Sequence, residues 1–332
     1  MKRIQVGLVA DPAAPAEIAR RLIDLEPPGG EDRDAWDIEM VCEPFTMGSE
    51  DVDAAMARLR DHARQHEWDV VIGLTELPFR DVDDGRYLLA ETDPLRRTAV
   101  LSLPALGGLR MQKRARLAVR ALVAGMAEST QDEHSGPLPR FTSRWRLLVG
   151  MVLANRPWLL VPGLKSALVA ALTTGAVATV NSTVWQLAGS LSWWRLLVAM
   201  LASISLVVAW LVVDGELWDR PDDMSAAARE RSRLYNTSTL VTLTIGVLIC
   251  YLALYVVNLV WALFVLDPAV MGGYLHVSLG YGDLFVLTWF VASAATVGGA
   301  LGSGLESDEA IRAAAYSKRE EERRNRLAQE RS

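Results

Sequence analysis

The sequence predicts a cytoplasmic α/β domain with a mixed sheet, followed by an all-α transmembrane bundle of four helices. Charged residues dominate residues 1–146 and 305–332, whereas residues 159–304 carry few of them. Uncharged apolar runs of about 18 residues or more can cross a hydrocarbon core of ~30 Å. Short apolar strands alternate with amphipathic helices before residue 128, which is the pattern of an α/β domain.

The first 128 residues predict the element order β-α-β-α-β-β-β-α. The strands are predicted at 4–10, 36–45, 70–74, 86–92 and 98–106, and the helices at 15–23, 51–68 and 111–127. An Asp84-Gly85 pair indicates a hairpin turn. On the closing helix, the apolar spacing predicts that Leu117, Val119, Leu122 and Val123 are buried.

Composition restricts the function. A formal net charge of −6 argues against a general nucleic-acid-binding protein, which would be basic. Cys42 and Cys250 fall in a soluble strand and in a membrane span, so no disulfide framework is implied. The apolar stretch after Lys2 and Arg3 is too short for a secretory signal, and the α/β domain is therefore expected to stay in the cytoplasm.

Three segments, "VVIGLTELPF", "RYLLAET" and "TAVLSLPAL", are followed by the helix at 111–127. Together they resemble the sheet of archaemetzincins, a branch of the metzincin metallopeptidases. In that family a zinc helix of the form HExxHxxGxxH comes next. With Gly125 at the glycine of this motif, the ligand positions become Ala118, Leu122 and Glu128, and the position of the base becomes Val119. The resemblance therefore implies a peptidase-like fold without its zinc motif, kept for binding or for structure. The alternative is an unrelated α/β domain.

One pair of residues could still bind a metal ion. His62 and His66 are four residues apart and share a helix face. They supply only two of the four ligands that zinc requires, so they are weak candidates and the same pair also fits an ordinary amphipathic helix. No catalytic residue and no cofactor are predicted.

Residues 129–142 are predicted to be a linker, and the membrane domain to cover 143–304. Its first segment, 143–156, suits either a helix lying in the membrane interface or an early turn of the first span. The side chains expected at the membrane interface are aromatic or basic: Trp145, Arg146, Trp158, Lys165, Trp193, Trp194 and Arg195.

Four spans are predicted, at about 164–184, 196–213, 240–266 and 284–304, before a charged tail helix at 305–332. Lys and Arg cluster before the first span, between the second and third, and after the fourth, whereas the other side has only Arg195. Because positive residues collect on the cytoplasmic side, both termini are expected to be cytoplasmic. The whole chain resembles four-span proteins of the bacterial inner membrane.

The fourth span carries small residues four apart, Ala294, Gly298 and Gly302, with a second row at Ala295, Gly299 and Ser303. Such spacing allows close helix packing, either inside the bundle or between two copies of the chain. No charge lies at mid-span, and Asn258 is the most notable polar residue there.

These patterns predict a binding or regulatory module anchored in the bilayer. Its expected partners are the lipids and a cytoplasmic protein. The alternatives are an oligomeric channel or transporter and a membrane-anchored metallopeptidase with unrecognised ligands.

Overall fold

The computed structural model describes residues 3–27, 35–47, 51–80, 86–108, 110–127, 141–221 and 226–302. Its described residues fall into two compact units, the first ending at Asn155 and the second beginning at Arg156. The predicted linker, apart from Phe141 and Thr142, the tail helix and the Asp84-Gly85 turn all lie outside the described residues.

The first unit contains eight strands and four helices among its described residues. In chain order these are β1 Ile4–Ala10, α1 Ala14–Arg20, β2 Trp36–Cys42, α2 Val52–Gln65, β3 Val70–Thr75, β4 Phe79–Arg80, β5 Tyr87–Leu88, β6 Ala90–Asp93, β7 Thr98–Ser102, α3 Met111–Ala127, β8 Phe141–Thr142 and α4 Arg144–Ala154.

The main sheet has the strand order β2-β1-β3-β7-β6. Only β6 runs antiparallel to its neighbour, so the predicted mixed sheet is confirmed. Strands β1, β3 and β7 are buried along most of their length because helices cover both faces of a largely parallel sheet. Edge strand β2 is only partly buried.

The predicted strand at 86–92 is in fact two strands in different sheets. Strand β5 pairs with β4 and β8, whereas β6 pairs with β7 of the main sheet. The chain bends at Leu89 between them. The antiparallel pairing of β4 with β5 agrees with the predicted hairpin.

Helix α3 packs one face on the sheet. Val119, Leu122 and Val123 are buried as predicted, but Leu117 is 58% exposed, so its predicted burial is wrong. Ala115, Ala118 and Met126 complete the buried face. Leu117 precedes Ala118 by about 100° around the helix, which turns it away from this face.

Helix α4 packs on the 3-10 turn Pro104–Leu106. A Cβ atom on Gly150 would lie 2.0 Å from the carbonyl oxygen of Pro104, so only glycine permits this approach. Whether α4 also lies in the membrane interface stays a prediction.

We expect Gly150→Ala to separate α4 from this turn, because the clashing atom belongs to the backbone and cannot rotate away. The expected loss is about 2 kcal/mol in the free energy of unfolding, measured by thermal melting of the full chain and by hydrogen exchange in α4. The matched control is Gly125→Ala, where an added Cβ meets nothing within 4 Å. The higher helix propensity of alanine should stabilise α3 by up to about 1 kcal/mol. Equal melting of the two variants would contradict the packing role of Gly150.

The second unit is helical throughout its described elements. They are a 3-10 turn at Pro157–Leu159 and helices α5 Leu160–Gly163, α6 Lys165–Thr179, α7 Ser182–Ser190, α8 Trp193–Asp214, α9 Ala226–Val265, α10 Pro268–Leu275 and α11 Tyr281–Gly302. Helix α11 packs against α6, α8 and α9.

Within the described residues, three helices are long and apolar enough to cross a membrane: Trp193–Asp214, Ala228–Val265 and Tyr281–Gly299. A fourth span is counted only if the bent pair Arg144–Gly163 and Lys165–Thr179 is taken as one. The structure thus contains three to four apolar helices, compatible with a membrane protein.

The predicted first span at 164–184 is interrupted. Helix α6 ends at Thr179, and the side chain of Asn181 accepts a hydrogen bond from the backbone N–H of Thr183 to begin α7. Asparagine is a strong N-cap, which explains why a new helix starts here.

Helix α9 is much longer than the predicted span at 240–266. Its 40 residues correspond to about 60 Å, roughly twice the thickness of a hydrocarbon core. The preceding loop is held against the polar first part of the helix, because Asn236 bonds both the N–H and the carbonyl of Asp219, and Ser232 donates to the Asp219 carboxylate at 2.7 Å.

Candidate functional site

Polar side chains gather where the parallel strands of the first unit end. Asp11 follows β1, and Thr75 and Glu76 lie at the end of the neighbouring strand β3. The carboxyl ends of parallel strands are where open α/β sheets bind their ligands. Asp11, Thr75 and Glu76 are all at most 8% exposed.

Asp11 ties the loop after β2 to this edge. Its carboxylate accepts the Thr46 hydroxyl at 2.7 Å and the Thr46 backbone N–H at 3.3 Å. The carbonyl of Phe45, one residue earlier, accepts a hydrogen bond from Arg58 of α2 at 2.9 Å. The loop is therefore held from the sheet on one side and from a helix on the other.

Two buried hydroxyls shape the rest of the edge. Ser102, at the end of β7, donates to the carbonyl of Leu77 at 2.7 Å, and the Thr75 hydroxyl accepts the backbone N–H of Leu77 at 3.1 Å. Both hydroxyl groups are thus committed to protein atoms. These bonds fix the segment after β3. We name the edge formed by Asp11, Thr46, Thr75, Glu76 and Ser102 the carboxyl-edge cluster.

We expect Thr46→Val to lower the free energy of local unfolding at this cluster by about 1.5 kcal/mol or more. The substitution removes the hydrogen bond from the Thr46 hydroxyl to Asp11, so the buried carboxylate loses a partner. Hydrogen exchange of residues 43–47 in the full chain measures the effect. Thr92→Val on the edge strand β6 is the matched control, since Thr92 is exposed. Unchanged exchange in Thr46→Val would show that this hydroxyl does not stabilise the loop.

The two histidines face different carboxylates of β2 and its following loop. His62 Nε2 lies 3.1 Å from Glu43 Oε2, and His66 Nδ1 lies 3.6 Å from Glu39 Oε1. His66 also stacks on Trp68 with ring centroids 4.5 Å apart. Across the described part of the chain, no three His, Cys, Asp or Glu side chains are grouped so as to hold a metal ion.

Helix α3 uses its apolar face for core packing. Ala118 and Leu122, at two of the ligand positions that the archaemetzincin resemblance implies, are 3% and 8% exposed, and Val119 is fully buried. The third implied position, Glu128, lies outside the described residues.

A pair of arginines meets where the first turn of α3 approaches α4. Arg114 Nη1 donates to the carbonyl oxygen of Leu106 at 2.7 Å, and Arg146 of α4 donates to the same oxygen through Nε at 3.1 Å and Nη2 at 2.9 Å. Gly107 gives them room, because it has φ +80° and its missing Cβ would lie 3.0 Å from Arg114 Nη1. Burial, together with the nearby charge of Arg114, lowers the pKa of Arg146. We name these residues the arginine pair.

The side chains expected at a membrane interface are exposed in both units. In the first unit, Trp145 is 75% exposed. In the second, Trp158, Lys165, Trp193 and Trp194 are exposed, and the guanidinium of Arg195 lies 5.4 Å from the centre of the Trp194 ring. Their position in a bilayer stays a prediction.

The small residues of α11 have different environments. A Cβ on Gly299 would lie 2.8 Å from the carbonyl oxygen of Ala167 and 2.9 Å from Ala171 Cβ, so this row packs on α6. In the other row, Gly298 faces Thr174 more loosely, at 3.5 Å, and Ala294 is exposed. Gly302 is helical, but its surroundings lie outside the description.

The second unit also buries polar groups. Asn258 is 1% exposed, donates to the carbonyl of Leu254 and lies against Gly175 of α6, where an added Cβ would be 2.3 Å from Asn258 Oδ1. The hydroxyls of Tyr251 and Ser293 are 3.0 Å apart. A cavity of about 40 Å³ nearby is lined mainly by apolar side chains.

No family model, curated protein or solved structure matches this chain.

The sequence reasoning missed both the carboxyl-edge cluster and Arg114. A usable signal was present for the cluster, because Asp11 and Thr75 directly follow two predicted strands, and the structure pairs these strands in parallel so that their ends meet at one edge. No local sequence pattern predicts the arginine pair, because Arg114 and Arg146 come together only through the packing of α4 on Pro104–Leu106.

Proposed function

We propose that the chain is a multi-pass membrane protein whose cytoplasmic α/β domain binds a ligand or partner protein without performing chemistry of its own. The observation that carries the proposal is the carboxyl-edge cluster. It lies at the edge where α/β sheets bind ligands, in a unit that precedes three to four apolar helices.

The internal hydrogen bonds of the cluster favour binding over catalysis. Asp11 is engaged with Thr46, and Ser102 and Thr75 are engaged with Leu77. A buried and preorganised polar cluster of this kind can hold a recognition loop in one conformation, whereas a nucleophile requires a neighbouring base that it can reach.

Photocrosslinking from this edge tests the proposal. A benzophenone side chain at Met47, which adjoins Thr46 and is 43% exposed, should crosslink a component of native membranes that Asp11→Ala loses. The matched control is the same label at Leu95, which is 97% exposed and lies in the turn between β6 and β7, at the opposite edge of the sheet. Equal products from both labels, or the same products in Asp11→Ala, would refute a binding role for this edge.

We further propose four spans with both termini in the cytoplasm, with helix α6, Lys165–Thr179, in the first crossing region. The support is the clustering of Lys and Arg on one side of the predicted spans. Reporter domains fused before Met1 and after Ser332 should both signal from the cytoplasm. Opposite signals would require an odd number of crossings.

We also propose that the α/β domain derives from an archaemetzincin-like peptidase that has lost its zinc site. The support is the succession of strand Val70–Thr75, hairpin, strand Thr98–Ser102 and helix Met111–Ala127. On this proposal, the apolar side chains at positions 118, 119 and 122 replace a zinc site with core packing. Metal analysis of the purified full chain tests it, and one bound zinc per chain would favour the peptidase alternative.

A channel or transporter is the second candidate. Buried Asn258 and the Tyr251–Ser293 hydrogen bond favour it, because polar groups within apolar helices often mark a path. Ion flux through the full chain in liposomes, abolished by Asn258→Leu, would establish this activity.

A further inference from the structure

We propose that the arginine pair binds the phosphate of an anionic membrane lipid. The two guanidinium groups, from α3 and α4, converge on one carbonyl oxygen, that of Leu106. Two like charges held together in this way favour an anion between them or beside them. The inference rests on the proposed membrane location of the chain.

The pair keeps most of its hydrogen-bonding capacity. A guanidinium has five N–H donors, of which Arg114 uses one and Arg146 uses two in the described part of the chain. Both side chains lie on residues that are exposed at the surface. Arginine is the side chain best suited to phosphate, because its planar donors match two phosphate oxygens at once.

The two helices that carry the pair are basic. Neither α3 nor α4 contains an Asp or Glu, whereas α3 carries Lys113 and Arg116 and the residue before it is Arg110. Ser143 caps the beginning of α4 through a hydrogen bond to the N–H of Arg146. The positive end of that helix dipole therefore lies on the same side as the pair and adds to its attraction for an anion.

The exposed side chain of Trp145 indicates that the phosphate belongs to a lipid. It lies between Arg144 and Arg146 and is 75% exposed, which is costly in water but favourable among headgroups. In addition, only residues 147–155 separate Arg146 from the first residue of the apolar unit. A lipid phosphate satisfies both the arginine pair and the tryptophan, whereas a free phosphate satisfies the pair alone.

The test uses the full chain in nonionic detergent. The chain is titrated with dioctanoyl phosphatidylglycerol and, in parallel, with dioctanoyl phosphatidylcholine. Native mass spectrometry counts the lipids bound per chain. We expect wild type to prefer phosphatidylglycerol. The double substitution Arg114→Gln and Arg146→Gln should weaken that binding by about tenfold or more, as expected for lost charge-assisted hydrogen bonds.

The matched control removes the same charge from α2 of the same unit, through Arg60→Gln and Arg64→Gln. These two side chains are distant in sequence from the pair and bond to their own helix. Binding within about twofold of wild type is expected. Equal weakening in both double variants would overturn the site, since it would reflect net charge alone.

Two further measurements complete the test. Inorganic phosphate should not displace the lipid at equal concentration, and displacement would assign the site to a soluble phosphate. If the double variant does not fold, amide exchange of the wild-type chain provides the test. Phosphatidylglycerol should slow exchange at residues 110–114 and 143–147 more than phosphatidylcholine does. Identical exchange with the two lipids would overturn the proposal. The terminal reporters separately test the membrane location, so the lipid site can fail while that location stands.

Discussion

Replacing Gly7 with alanine is expected to lower the free energy of unfolding of the α/β unit by about 3 kcal/mol. Gly7 lies in β1, between β2 and β3, and a Cβ there would lie 1.9 Å from a ring carbon of Trp68. The rigid indole is buried, and its Nε1 donates to Glu39 at 2.8 Å. The ring therefore cannot move aside without losing both its packing and this bond. Thermal melting of the full chain, with hydrogen exchange in β1, measures the loss.

A double-mutant cycle provides the control for Gly7. Trp68→Leu creates space above position 7 and is destabilising by itself, because a large aromatic side chain is lost from the core. The double variant Gly7→Ala with Trp68→Leu should lose clearly less free energy of unfolding than the sum of the two single losses. Strict additivity would show that the alanine acts through something other than the indole.

Replacing Gly299 with leucine is expected to separate α11 from α6 and to destabilise the helical unit by about 3 kcal/mol. The added side chain would overlap the backbone of Ala167, which has no rotamer to escape into. The comparison variant is Ala294→Leu, on the same helix but exposed. Resistance to unfolding by SDS and the oligomeric state in mild detergent would be measured for both.

The two variants also decide between the two uses of the small residues. Packing inside the chain predicts that Gly299→Leu unfolds easily while Ala294→Leu behaves as wild type. A homodimer formed through Ala294, Gly298 and Gly302 predicts the reverse, with loss of the dimer in Ala294→Leu. The exposure of Ala294 and the tight contact at Gly299 favour the first outcome.

Much of the α/β domain could be predicted because its signals are local. Apolar strands such as Ile4–Ala10 and Val70–Thr75 are continuous in sequence, and helix α3 shows its buried face through Val119, Leu122 and Val123. The misassigned strand at 86–92 shows the limit. Which sheet a short strand joins depends on partners far along the chain, and these divide β5 from β6.

The candidate sites could be predicted far less well. The two histidines share a helix face, as their spacing predicts. The carboxylates beside them come from β2 and the loop after it, and the pairing of β2 with β1 has no signal in the local sequence. The Asp11–Thr46 and Arg114–Arg146 pairs each join residues more than 30 positions apart. Contacts of that kind arise from packing, and no periodicity in a single chain encodes them.

The sequence by itself determined the division into a charged α/β part and an apolar helical part, because hydrophobic burial acts on composition and on spacing along the chain. The tertiary structure alone decided how far α9 extends and which glycines are indispensable. Those features depend on atoms brought within a few ångströms by the fold, such as Trp68 over Gly7 and Pro104 beneath Gly150. Close packing is a property of the assembled interior, and steric exclusion is felt only once the partners have met.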